Sequence, residues 1–275
     1  MTLMRETRIA GALVDLDDTL FPQQSWLRGA WRAVVTAAPA LDPNVFEDAL
    51  VAVASEGSDR GRIIDRALTL VGTDAAARVD VRDLVAAFRA YRAPSLECYA
   101  GALESLRMLR SYVPVALVSD GDPLIQRGKI EALGLAGEFD AIVLSDEIGR
   151  AFRKPNVAPF NLAVDQIAAR TRDCVMIGDR PDKDVAGARA AGLLGTVRVL
   201  TGEYRATATA HEATLAVVQD FAEAVAWLRP ALERQPRGSG ASRLRVKTPP
   251  GPAAPNVNAP NASAMIAGSD QLHRV

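Results

Sequence analysis

The chain has 275 residues, of which 49% are hydrophobic and 24% charged, and its formal net charge is −1. So even a balance gives no electrostatic reason for a nucleic-acid or membrane-surface partner, and no apolar stretch approaches the length of a spanning helix. Residues 1–8 carry no signal-peptide core, and Cys98 and Cys174 have no ligand spacing, so reduced core thiols in a cytoplasmic protein are expected.

The first predicted element is the unbroken apolar run 9–14. Its lack of polar alternation is that of a strand covered by helices on both faces. It runs directly into Asp15-Leu16-Asp17-Asp18-Thr19. Residues 21–94 then show helical periodicity at 26–38, 44–55, 61–71 and 81–91, punctuated by prolines and glycines, and no strand. An insert of this kind reads as a lid over the strand ends; the alternative is that these helices only thicken the core.

Four further strands are expected at 113–118, 139–144, 174–177 and 196–200, separated by helices at 124–133, 160–169 and 182–191. This alternation predicts an α/β fold with a Rossmann-like parallel sheet flanked by helices and joined by right-handed crossovers. From residue 235 the chain turns rich in proline, glycine and serine, and a disordered tail is expected over 235–275. Arg243, Arg245 and Lys247 in that tail read as solvated charge.

Four motifs fall at predicted strand ends. Asp15 and Asp17, two apart, can address one group from the same side; a solvated turn with an Asx cap is the plainer reading. Ser119 ends the second strand, Gly121 permits a tight turn, Asp122 suits an N-cap and Pro123 the first helical position. Ser119 would then sit near free backbone N–H groups that favour an anion, although simple capping explains the same residues. Arg153-Lys154-Pro155 precedes the next helix. Lysine is scarce here, with Lys129, Lys154, Lys183 and Lys247 among 32 basic residues, so each one merits inspection. Finally Gly178-Asp179 ends a strand and Asp184 opens the next helix, a carboxylate pair suited to a hard cation such as Mg²⁺. For Asp182 and Asp184, partnership with the helix dipole serves equally well. With two histidines in all, His211 and His273, zinc or Ser-His-Asp chemistry has little to work with.

Together and in order, these motifs resemble the haloacid dehalogenase (HAD) superfamily pattern: D-x-D-x-[TV], a Ser or Thr, a Lys, then G-D-x-x-x-x-D. The resemblance covers residues 9–200, with the helical insert where the C1 cap of the family's capped phosphatases lies. The one departure is Lys154-Pro155-Asn156-Val157-Ala158-Pro159-Phe160, where relatives often read Lys-Pro-x-Pro before the Phe. The division implied is a catalytic core of 1–20 and 95–230 with a cap of 21–94.

By that resemblance Asp15 is the nucleophile and Asp17 the general acid and base. Ser119 and Lys154 complete the catalytic set, while Thr19, Ser119, Asp120, Gly121 and Lys154 bind the phosphoryl group. The implied Mg²⁺ is held by Asp15, the Asp17 carbonyl and Asp179, with Asp184 behind them. The implied activity is Mg²⁺-dependent hydrolysis of a small phosphorylated metabolite through an aspartyl phosphate. Family dehalogenases lack an acid like Asp17, because halide leaves unprotonated. Residues 120–131 resemble the matching segment of acylneuraminate-9-phosphatases and nucleotidase-like relatives, which implies a sugar phosphate or a nucleotide-like monoester. Trp26, Arg28, Trp31, Arg32, Arg60 and Arg62 are cap candidates for specificity or plain packing. A β-phosphoglucomutase-type phosphomutase and a catalytically inactive HAD-like binding module remain open. A receiver domain fits less well, since its acidic pair lies a whole βα unit before its phospho-accepting Asp. The sequence does not give the oligomeric state.

Overall fold

Strand β1 (Gly11–Val14) buries all four of its residues, because it lies inside a sheet with helices on both sides. In the computed structural model, which describes residues 8–57, 60–208 and 214–235, the sheet is six-stranded and ordered β3-β2-β1-β4-β5-β6. The remaining strands are β2 (Val115–Ser119), β3 (Ala141–Leu144), β4 (Cys174–Gly178), β5 (Gly195–Val199) and β6 (Thr214–Val218). All neighbouring pairs are parallel.

Alternate residues of the central strands feed two different cores. Ala12, Val14, Val115, Leu117, Val175 and Ile177 face the cluster built with α6 (Ala102–Tyr112), α7 (Pro123–Ala132) and α11 (Phe221–Glu233). Leu13, Ala116, Val118, Cys174 and Met176 face Phe160, Ala163 and Val164 of α9 (Val157–Gln166) and Ala188 of α10 (Ala186–Ala191). Burial on both faces is why the strands read as continuous apolar runs.

Helices α1 (Gln23–Thr36), α2 (Pro43–Ala54), α3 (Ile63–Val71), the short α4 (Thr73–Ala76) and α5 (Val81–Ala90) follow β1. Their apolar faces meet in a third cluster that includes Trp31, Val34, Phe46, Leu50, Ile64, Leu68 and Leu84. Asp42 and Asp80 cap α2 and α5 by accepting from backbone N–H groups. Short α8 (Ser145–Ile148) completes the helices, none of which is long and apolar enough, among the described residues, to cross a membrane.

Several features differ from the sequence expectation, which named neither α6 nor α11. The sixth strand, β6, was not anticipated. It is an edge strand whose residues are mostly half-buried or exposed, so its apolar signal is weak. The helix expected at 182–191 instead begins as a π-helical turn over Pro181–Val185 before α10, a geometry common at functional sites. The tail beyond 235, with Arg243, Arg245 and Lys247, lies outside the described residues, as do both histidines.

Candidate active site

β1 is the point where the chain reverses direction across the sheet: β2 and β3 build outward on one side, and β4 returns on the other. Ligands of open parallel sheets bind in the crevice at such a switch, beyond the carboxyl ends of the strands. Asp15 follows β1 there and Asp179 follows β4. The Asp15 N–H donates to the Ile177 carbonyl at 3.0 Å, which fixes the nucleophile candidate against the neighbouring strand.

Asp15 is buried, and its two oxygens have different partners. Lys154 Nζ donates to Oδ1 at 2.5 Å, and Thr19 Oγ1 donates to Oδ2 at 3.2 Å. The same ammonium donates to Asp184 Oδ1 at 2.7 Å and to the Val118 carbonyl at 3.2 Å. Asp184 Oδ2 in turn accepts from the Arg180 N–H at 3.0 Å. One lysine therefore spans β2, the loop after β1 and the turn after β4. Burial, assisted by Asp184 and Asp17, outweighs Lys154 and pushes the Asp15 carboxyl up to about 7. Burial and the charges of Asp184 and Asp15 also hold Asp179 well above the carboxylate range. Burial alone would lower the Lys154 ammonium, but Asp15, Asp184 and Asp120 reverse that and hold it well above its ordinary value.

Carboxylate oxygens of Asp15, Asp179 and Asp184 lie within 4.8 Å of one another, and Asp179 Oδ1 is buried with no hydrogen-bond partner among the described residues. Three acids against one ammonium leave excess negative charge in a dry place. A hard divalent cation with oxygen ligands fits this donor set and would satisfy the orphaned oxygen.

Gly178 contributes by its lack of a side chain, since a Cβ there would fall 2.4 Å from Asp184 Oδ2. Gly121 has φ +128°, a backbone conformation that favours glycine, and sits where β2 turns into α7. Asp122 accepts from the Leu124 N–H, with Pro123 at the first helical position, as the sequence implied. Ser119, 1% exposed, accepts at Oγ from Gln126 Nε2 at 2.7 Å. Asp120 turns toward the protein: its Oδ1 accepts from Ser145 Oγ at 2.7 Å and the Lys154 N–H at 3.1 Å, and Lys183 Nζ is 3.5 Å from its Oδ2. Asp120 thus positions the lysine motif.

Asp17 stands apart from the three-carboxylate cluster. Lys129 Nζ donates to its Oδ1 at 2.6 Å and Gln126 Nε2 to its Oδ2 at 2.8 Å. Asp18, with φ +58°, accepts at Oδ1 from the Gln23 N–H at 2.9 Å, and its carbonyl accepts from Thr201 Oγ1. These ties fasten the loop after β1 to α1 and to the segment after β5. Sequence reading did not single out Gln126, Asp18 or Arg198 and gave Lys129 no role, although its rarity as a lysine was a signal. Three of the four lysines, Lys129, Lys154 and Lys183, line one cavity.

That cavity is about 410 Å³ and lies between the carboxylate cluster and the helices of the insert. Its floor carries Asp15, Asp17, Ser119, Lys154 and Asp179, and its roof carries Trp26, Leu27, Trp31, Ile63 and Phe88. Trp26 and Trp31 thus line the cavity and also pack on Phe88, with ring centroids 5.3 and 4.8 Å apart. Arg28, Arg32, Arg60 and Arg62 are not among the cavity's lining residues.

Residues 9–192 match the family model described as haloacid dehalogenase-like hydrolase. Over 205 residues the chain is 31% identical to a glyceraldehyde 3-phosphate phosphatase of Methanopyrus kandleri, covering 72% of this chain and 86% of that protein. A phosphoglycolate phosphatase of Rhodospirillum rubrum is 30% identical over 224 residues, 78% of this chain and 89% of the relative. The magnesium-bound HAD-hydrolase YfnB of Bacillus subtilis shares the fold, with a TM-score of 0.60 at 19% identity over 81% of this chain and 99% of its own.

Proposed function

The chain belongs to the haloacid dehalogenase-like hydrolase family, and from that premise we propose that it is a Mg²⁺-dependent phosphatase of a small phosphate monoester. One observation carries this reading: Asp15, a buried carboxylate at the open end of the central strand, faces a cavity of about 410 Å³ while held between Lys154 and Thr19. The curated relatives that match over most of their length are named as phosphatases of small phosphorylated metabolites.

In this mechanism an Asp15 oxygen attacks phosphorus, and the bond from phosphorus to the leaving alkoxide breaks. Asp17 gives its proton to that oxygen, worth about 10²–10⁴ in rate. Asp17 then takes a proton from water, whose oxygen attacks phosphorus and releases Asp15 as a free carboxylate. Ser119 and Lys154 donate to the equatorial phosphoryl oxygens and hold the group in line. Asp15, the Asp17 carbonyl and Asp179 would hold Mg²⁺, with Asp184 beside them. When bound, the ion neutralises repulsion between the carboxylates and the phosphate dianion. Residues 21–94 serve as the cap that closes over a core of 1–20 and 95–230 and keeps bulk water out.

The test is release of inorganic phosphate from p-nitrophenyl phosphate and a panel of metabolite monoesters, with Mg²⁺, with EDTA, and with Asp15→Asn. Turnover that needs both Mg²⁺ and Asp15 supports the reading. A folded protein that binds Mg²⁺ and releases phosphate from no ester would overturn it.

A further inference from the structure

Asp17, the proposed acid, is engaged by a cation outside the four motifs. Lys129 and Gln126, both on α7, occupy its two oxygens at 2.6 and 2.8 Å. Asp17 cannot hand a proton to a leaving oxygen without giving up at least one of these contacts. The Lys129 side chain is 3% exposed, and among the described residues Asp17 is its one carboxylate partner. The ammonium also lies 4.8 Å from the Trp26 ring centroid and 5.9 Å from that of Phe21. Aromatic faces offset part of a buried charge, but stranding a buried ion by removing its partner is strongly unfavourable.

Four other cations lining the cavity are placed differently. Arg153 is paired with Asp146, Arg180 with Asp182 and Lys183 with Asp120, and the proposed reaction leaves those carboxylates where they are. Lys154 meets phosphoryl oxygens as Asp15 reacts. If the oxygen that turns to the leaving group is the one on Lys129, the ammonium loses its carboxylate, and nothing in the phosphoryl group is assigned to replace it.

We propose that Lys129 is a substrate-binding residue that takes a carboxylate carried by the phosphate ester itself. The substrate carboxylate replaces Asp17 on the ammonium, and the displaced Asp17 becomes free to protonate the leaving oxygen. This deepens the phosphatase reading, on which it rests, and names the substrate class as phosphorylated hydroxy acids rather than phosphorylated alcohols, aldehydes or neutral sugars. The carboxylate then contributes to turnover as well as to affinity, because an ester without one leaves Asp17 on Lys129.

The experiment compares matched esters: 2-phosphoglycolate with 2-hydroxyethyl phosphate, and 3-phosphoglycerate with glycerol 3-phosphate. Wild type should favour the carboxylate in at least one pair by about tenfold or more in kcat/KM, the range of a charge-assisted hydrogen bond. In Lys129→Met that preference should fall to within about threefold. No preference in wild type, or a preference that survives Lys129→Met, overturns the proposal while leaving the phosphatase reading in place. If the variant fails to fold, or no ester turns over, binding to the wild-type protein with Mg²⁺ decides: phosphonoacetate should bind about tenfold more tightly than ethylphosphonate, and equal affinity overturns the proposal.

Discussion

Gly178 leaves space that the Asp184 carboxylate fills: a Cβ at position 178 would lie 2.4 Å from Asp184 Oδ2 and 2.5 Å from its Cγ. Asp184 is fixed on both oxygens, by Lys154 Nζ and the Arg180 N–H. Gly178→Ala must therefore move a residue of the carboxylate cluster. Displacements of about 1 Å at a site cost roughly 10² in rate. We expect Gly178→Ala to fold with unchanged helix content, to lose about 10²-fold in kcat/KM, and to bind Mg²⁺ more weakly by titration calorimetry.

Lys154 is the cation that reconciles Asp15 with Asp184, at 2.5 and 2.7 Å. Removing one partner of a buried ion pair typically costs about 3–5 kcal/mol, since the other charge is left without compensation. Lys154→Met should lower the unfolding free energy of the Mg²⁺-free protein by an amount in that range, read as a lower urea midpoint at unchanged m, and abolish phosphate release. A midpoint equal to wild type would show that the pair does not support the folded state.

Proton linkage sets the pH dependence of the metal-free protein. Burial raises Asp15 from 3.8 to about 7 and raises Asp179 as well. Between the unfolded and folded values the native state holds protons that the unfolded chain has lost. Native stability from these groups is therefore present at low pH and falls as pH rises toward about 7. Mg²⁺ binds the deprotonated carboxylates, so its gain grows over the same interval. In EDTA, Tm should fall from about pH 5.5 to about pH 7.5; saturating Mg²⁺ should add roughly 5–10 °C at the higher pH and less at the lower. Opposite slopes would contradict the assignment.

Burial pushes the Cys174 thiol up to about 12 and raises that of Cys98. Reactivity follows the thiolate, so native Cys174 should react at pH 8 about 10³-fold more slowly than a free cysteine. Both thiols should react promptly in denaturant, as read by a chromogenic disulfide reagent.

Much of the fold was legible because its strands are buried on both faces: the runs ending at Val14, Ser119 and Gly178 have no polar interruption. The edge strand β6 was not legible, because partial exposure weakened its apolar pattern. Asp15, Ser119, Asp179 and Asp184 stand at or just beyond apolar runs, Thr19 shares the first motif and Lys154 stood out as a rare lysine, while their roles came from the resemblance to the family pattern. Arg198 could not: it sits within the buried β5, where its guanidinium donates to the Asp179, Tyr204 and Thr207 carbonyls. A cation in a strand interior carries no local sign of such partners.

The sequence by itself determined which residue types stand at the strand ends, because local hydrophobicity and turn chemistry act over a few neighbours. Only the tertiary structure decided which of those ends meet. Strand order set β4 beside β1 and brought Asp179 to Asp15. It also carried Lys129 across 112 positions to Asp17. Contacts over that range follow from burying two faces of one sheet at once, a condition on the whole chain that no local stretch expresses.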